Sequence, residues 1–110
     1  MDMTTFQEGN ACVLNIAGSL DTKTCRAAED RINELMAAGN NRLVVDLEEL
    51  DYISSAGLRV LLFTMKKLKK SKGKLAICGM NPTVQEVFDI SGFSKIFSVF
   101  PKRPEAVASV

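Results

Sequence analysis

At 110 residues the chain is long enough for one compact domain that buries roughly two-thirds of its unfolded surface without metals or disulfides. Its 14 basic and 13 acidic side chains leave a formal charge of +1, which gives no global electrostatic drive towards nucleic acid or an anionic membrane. There is no histidine, so neither a histidine base nor a histidine–metal constellation can be built, and no cofactor is expected. Cys12, Cys25 and Cys78 are odd in number and widely separated, as expected in a reducing cytoplasm. Met1 to Thr5 lack the basic and apolar regions of a signal peptide, and no apolar run reaches membrane-spanning length. A soluble cytoplasmic protein with protein partners is the expectation.

Phe6 and the alternating run Cys12-Val13-Leu14-Asn15-Ile16 flank Glu8-Gly9-Asn10, a sequence suited to a hairpin turn, and predict two opening strands. Asp21 or Thr22 can cap a first helix in which Cys25, Ala28, Ile32, Leu35 and Met36 recur at helical spacing, and Gly39-Asn40-Asn41 supplies its stop. Leu43-Val44-Val45, apolar throughout and closed by Asp46, reads as a central strand buried on both faces. An acidic loop then leads into a second helix. Leu58, Leu61, Leu62, Met65 and Leu68 form its packing stripe, whereas Arg59, Phe63, Lys66 and Lys70 lie about 100° away and are displayed. Leu75-Ala76-Ile77-Cys78 reads as the next strand. Asn81-Pro82 opens a third helix with Val84, Val87 and Phe88 inward and Ser91-Gly92 at its end, and Ile96 to Phe100 forms a last strand. In the tail from Pro101 to Val110, Glu105, Ala106 and Val107 allow a frayed turn or helix.

Strands alternating with helices predict a single α/β domain over residues 1–110, with a mixed, mostly parallel sheet of about four to five strands packed by about four helices. The phosphate-binding and nucleotide-binding glycine loops and the nucleophile elbow of hydrolases are absent, so no enzyme chemistry is expected. Asp46 closes a central strand as a phosphoacceptor does in a receiver domain. Gly18-Ser19 nevertheless follows the early strand where an acidic pair would hold Mg²⁺, and Asp46 is read as a loop-capping carboxylate. The lysine run from Lys66 to Lys74 lacks interleaved aromatics and reads as a solvated helix end.

The stretch Asp51-Tyr52-Ile53-Ser54-Ser55-Ala56-Gly57-Leu58 carries the most information. Two hydroxyls and two very small residues stand where an acidic loop becomes an apolar helix. A helix start offers unpaired N–H groups and the positive end of the dipole, so a phosphate on Ser54 or Ser55 is electrostatically tolerated there. The plainer reading is a helix cap contributing about 1 kcal/mol. The two readings are compatible.

These residues resemble the STAS domains, and within them the anti-sigma factor antagonists of bacterial partner-switching systems. Gly18-Ser19-Leu20-Asp21 is similar to that family's turn before its first helix, and Val44-Val45-Asp46-Leu47 with Asp51-Tyr52-Ile53 to its central strand and loop. Ser55-Ala56-Gly57-Leu58 resembles its phosphorylation motif, and Asn81-Pro82-Thr83-Val84, Phe88 and Ser91-Gly92 its closing helix. The resemblance implies a phosphorylation-controlled binding switch. The unmodified chain would bind a serine kinase-type anti-sigma factor, the kinase would use ATP to modify Ser55, and a metal-dependent serine phosphatase would reverse the change. Where the family commonly has Asp before the modified residue this chain has Ser54, which makes Ser54 a second candidate acceptor. Asp21 is implied to contribute to partner recognition. Ala56 and Gly57 allow close approach of the kinase, and Arg59 and Phe63 either select the partner or, for Phe63, pack under the terminal segment. The free chain is expected to be a monomer. A different use of the same domain, as a cytoplasmic subunit of a transporter such as a phospholipid ABC system, is the alternative.

Overall fold

The computed structural model describes residues Met1–Val110. The chain opens with β1 (Asp2–Glu8) and β2 (Ala11–Leu20), paired antiparallel through the turn at Gly9-Asn10. It continues through α1 (Cys25–Ala37), β3 (Arg42–Asp46), β4 (Leu50–Ile53), α2 (Ser55–Lys70), β5 (Lys74–Cys78) and α3 (Pro82–Ser91). A single 3-10 turn at Phe93–Lys95 leads to β6 (Ser98–Phe100) and α4 (Arg103–Ser109). The main sheet runs β1-β2-β3-β5-β6 and is parallel from β2 onwards, while β4 pairs the far end of β2 beyond the reach of β3. No helix is long and apolar enough to cross a membrane.

The parallel register aligns Leu14, Val45, Ile77 and Val99 in one row across four strands. Because side chains alternate along a strand, this row and its neighbours Leu43 and Ile16 face α1, α2 and α3, whose Ile32, Leu61 and Phe88 complete the larger core. Val13, Val44, Ala76 and Cys78 point the other way and are covered by Ala106 and Val110 of the terminal segment. That second layer explains why β3 is apolar at Leu43, Val44 and Val45 alike: neither face meets water.

Three features depart from the sequence reading. The sheet has six strands, one more than the upper end of the expected range, because Leu50–Ile53 pairs with β2 although its burial does not alternate. Opposite Gly18 and Ser19 the register shifts by one, so that Asp51 is an extra, unpaired residue of β4; both Asp51 and Tyr52 are exposed between buried Leu50 and Ile53, which erases the period-2 signal. The last strand is confined to Ser98–Phe100, since Phe97 turns inward to pack edge-on against Phe88. The terminal helix is docked rather than frayed. Arg103 pairs with Glu8 at 3.1 Å and Asp46 at 3.5 Å and stands 5.1 Å from the Phe6 ring centre, while Arg42 donates to the Val110 carbonyl at 3.0 Å. Asp46 caps its loop as expected, accepting from the Glu48 N–H at 3.0 Å.

Burial on the α4 side, reinforced by the negative charge of Asp46, pushes the Cys78 thiol up from 9.0 to about 12. Burial raises the Cys12 thiol in the same direction. A thiol that is harder to ionise in the folded state than in the unfolded state costs nothing below the unfolded pKa, and its stabilising effect is lost as pH rises towards the folded one. Unfolding free energy is therefore expected to fall above pH about 9, by up to about 1.4 kcal/mol per pH unit for each such thiol. Denaturant titrations across this alkaline window check the slope, and Cys78→Ala should flatten it.

Candidate functional site

The parallel strands β2 and β4 end together. Leu20 lies opposite Ile53, and the Ser54 N–H donates to the Leu20 carbonyl at 2.9 Å, extending the ladder one residue further. The two chains leaving these strands, at Asp21 and at Ser54, thus start side by side and feed α1 and α2 at the carboxyl edge of the sheet. Asn81 ties in the third loop of this edge: its side chain caps α3 by accepting from the Val84 N–H at 2.8 Å and donates to the Leu50 carbonyl at 2.9 Å.

Asp21 does not cap α1, and neither does Thr22; the helix begins at Cys25 with Thr24 at its N-cap position and no side-chain cap. The Asp21 carboxylate instead accepts from the Lys23 N–H at 2.9 Å and the Thr24 N–H at 3.3 Å. The Thr24 hydroxyl accepts from the Asp21 N–H at 3.0 Å and donates to the Ser19 carbonyl at 2.8 Å. A short polar side chain bonding its own backbone two or three residues on competes with the helix and delays its start. Asp21 is half-buried in this closed turn beside the Ser54 strand end.

The two serines have different environments. Ser54 is the N-cap of α2: its backbone is extended, with φ −96° and ψ 174°, and its hydroxyl accepts from the Gly57 N–H at 3.4 Å. Ser55 is the first residue of the helix and is exposed, and its hydroxyl makes no hydrogen bond within the protein. The first intrahelical bond runs from the Leu58 N–H to the Ser54 carbonyl at 3.0 Å, so the Ser55 and Ala56 N–H groups have no helical acceptor.

Gly57 is buried, and the close approach it allows lies inside the fold. A Cβ there would stand 2.6 Å from the Leu20 carbonyl oxygen and 2.8 Å from Ile53 Cγ1. Ala56, one residue earlier, is half-buried and looks outward. With Cys25, Glu29, Arg59 and Phe63 it lines a shallow hollow of about 150 Å³ between α1 and α2. Ser55, Arg59 and Phe63 fall four residues apart and form one exposed line along α2. Phe63 is 45% exposed. The terminal segment lies behind the sheet against β3, β5 and β6, so it does not cover Phe63.

Cys25 and Glu29 were not among the residues picked out in the sequence as lining a site. They reach it through the packing of α1 on α2, for which no local pattern exists. Arg103, which ties the terminal helix to Glu8 and Asp46, carries no periodic signal either.

The chain matches the STAS domain family over residues 3–106. It is 38% identical over 109 residues to BtrV of Bordetella bronchiseptica, described as a candidate anti-sigma factor antagonist, covering 99% of this chain and 94% of that one. It is 28% identical over 108 residues to the anti-sigma-F factor antagonist RsfB of Mycobacterium tuberculosis, covering 98% and 88% of the two chains. The crystal structure of an anti-sigma factor antagonist from Mycobacterium paratuberculosis superposes with a TM-score of 0.90 at 26% identity, over 99% of this chain and 92% of that one. By their descriptions these relatives are anti-sigma factor antagonists. With the match running over almost the whole domain and the same fold in a solved relative, this chain belongs to the STAS domain family, among the anti-sigma factor antagonists.

Proposed function

We propose that the chain is a phosphorylation-controlled binding switch. Unmodified, it binds a serine kinase-type anti-sigma factor and so releases that factor's target. Transfer of the ATP γ-phosphoryl group to Ser55 Oγ, with ADP leaving and the hydroxyl proton passing to the kinase, ends the binding. Hydrolysis by a metal-dependent serine phosphatase returns the free hydroxyl and inorganic phosphate. The observation that carries this reading is the contrast between the serines: the Ser55 hydroxyl is exposed and unbonded, whereas that of Ser54 is engaged as a cap. This supports Ser55 over Ser54 as the acceptor.

A phosphate on Ser55 adds about −1.5 to −2 charges beside two free N–H groups and the positive end of a 16-residue helix. The helix tolerates it. A partner packed over Ala56, the Asp21 turn and the Arg59–Phe63 line does not, because the dianion would be stripped of water with no new cation to meet it. In the free state the chain is a monomer in this reading.

Mass spectrometry after incubation with ATP and the serine kinase-type anti-sigma factors of the encoding organism tests the assignment. One phosphate is expected, on the peptide containing Ser55, and none on Ser55→Ala. Modification of Ser54 in the wild type would reassign the acceptor. No modification by any of the kinases would overturn the switch and favour a constitutive role, such as a transporter subunit.

A further inference from the structure

The lysine run at the far end of α2 has two structural properties that a solvated helix end does not require. The first is the backbone at Lys72. Helix α2 closes with the Lys72 N–H bonded to the Lys69 carbonyl at 3.2 Å and the Gly73 N–H bonded to the Leu68 carbonyl, a Schellman motif. Its left-handed position is Lys72, with φ +59°, the only non-glycine residue in the chain with positive φ. At the ends of α1 and α3 the corresponding left-handed positions are Gly39 and Gly92. Glycine is the residue that fits this conformation without strain, so α2 keeps a lysine where it lowers stability. Gly73 cannot trade places with it, since a Cβ there would stand 2.4 Å from the Asn41 carbonyl oxygen.

The second property is the absence of counter-charge. Lys66, Lys67, Lys69, Lys70, Lys72 and Lys74 make no ion pair; every ion pair in the chain uses arginine. Only Lys67 has a side-chain partner, the Asn33 amide oxygen at 3.0 Å. Between Lys69 and Lys74 opens a hollow of about 310 Å³ whose floor includes Met65, Leu68 and Leu75. The floor is recessed: Leu68 is buried, and Met65 and Leu75 are half-buried. A recessed floor receives a protruding side chain; the one large apolar residue of the lining that is itself exposed is Ile96, at 48%, and insertion into a bilayer needs several that protrude together. The patch also has no aromatic on which a base could stack.

We infer that the α2–β5 turn is a second docking surface, for an acidic, extended polypeptide segment that presents an aliphatic side chain to the hollow and carboxylates to the lysines. Helix α2 is 16 residues long, about 24 Å, so this surface is separated from Ser55 and can be occupied together with it. The inference does not depend on the phosphorylation reading.

Fluorescence anisotropy with a labelled peptide of repeated Glu-Glu-Leu units tests it. Saturable binding at low salt is expected. Lys69→Glu with Lys72→Glu should weaken it roughly tenfold or more, and Lys23→Glu with Arg26→Glu, an equal charge change at the remote start of α1, should leave it unchanged. Lys72→Gly should weaken binding about two- to fivefold while raising Tm, a split that a purely structural lysine would not give. No saturable binding would overturn the inference. So would equal affinity for a peptide with serine in place of leucine, and so would equally tight binding to heparin or to phosphatidylserine vesicles, either of which would make the patch a plain polyanion surface.

Discussion

Phosphorylated at Ser55, the chain should bind its kinase-type anti-sigma factor at least about a hundredfold more weakly than the unmodified form, a loss of about 3 kcal/mol or more. The estimate follows from what surrounds the hydroxyl. No basic side chain is bonded near Ser55: Arg59, one turn away, makes no ion pair and is exposed. The phosphate is therefore stabilised within the chain chiefly by N–H groups and solvent, and a partner that excludes the solvent removes part of that stabilisation. Ser55→Asp should reproduce the direction with a smaller effect, since Asp carries one charge and less volume. Ser54→Ala should retain binding and lose about 1 kcal/mol of stability with the cap. Titration calorimetry of the four forms against the same kinase measures the contrast. Enzymatically phosphorylated chain that binds as tightly as the unmodified form would refute the switch.

Gly57→Ala is expected to destabilise the fold by about 3 kcal/mol, with Tm lowered by roughly 10 to 20 °C. The sign is the informative part. Inside a helix, alanine is favoured over glycine by about 1 kcal/mol, so local propensity predicts a gain. Packing predicts the opposite, because the new methyl group would lie 2.6 Å from the Leu20 carbonyl oxygen and 2.9 Å from Leu20 Cγ. Relief requires α2 to lift from the β2–β4 edge, which would also move Ser54 and Ser55 relative to the Asp21 turn. Gly39→Ala is the useful comparison: its left-handed backbone, with φ +96°, costs about 1 kcal/mol, but nothing lies within 4 Å of the added carbon. Thermal melts of the two variants separate steric overlap from backbone preference. A Gly57→Ala chain as stable as wild type would show that the edge can yield.

The elements easiest to read in the sequence were those whose pattern is repeated by burial. The central strand, the first three helices and the inward positions Ile32, Leu61 and Phe88 all show in the spacing of apolar residues, since one period serves both local geometry and packing. β4 does not show because its own extra, unpaired residue, Asp51, breaks the alternation. Asp21 looked like a helix cap because its residue type favours both caps and side-chain turns, and which one forms depends on where Thr24 and Ser19 meet.

The sequence by itself determined the fold class, the family resemblance and the placing of two serines at a helix start. These depend on residue order over short distances. Tertiary structure alone distinguished the serines by burial and bonding, turned Gly57 inward against Leu20, left Phe63 in the open and docked α4 over the second face of the sheet. Each of these outcomes is set by which distant segments share the same space, and no local period or propensity encodes that.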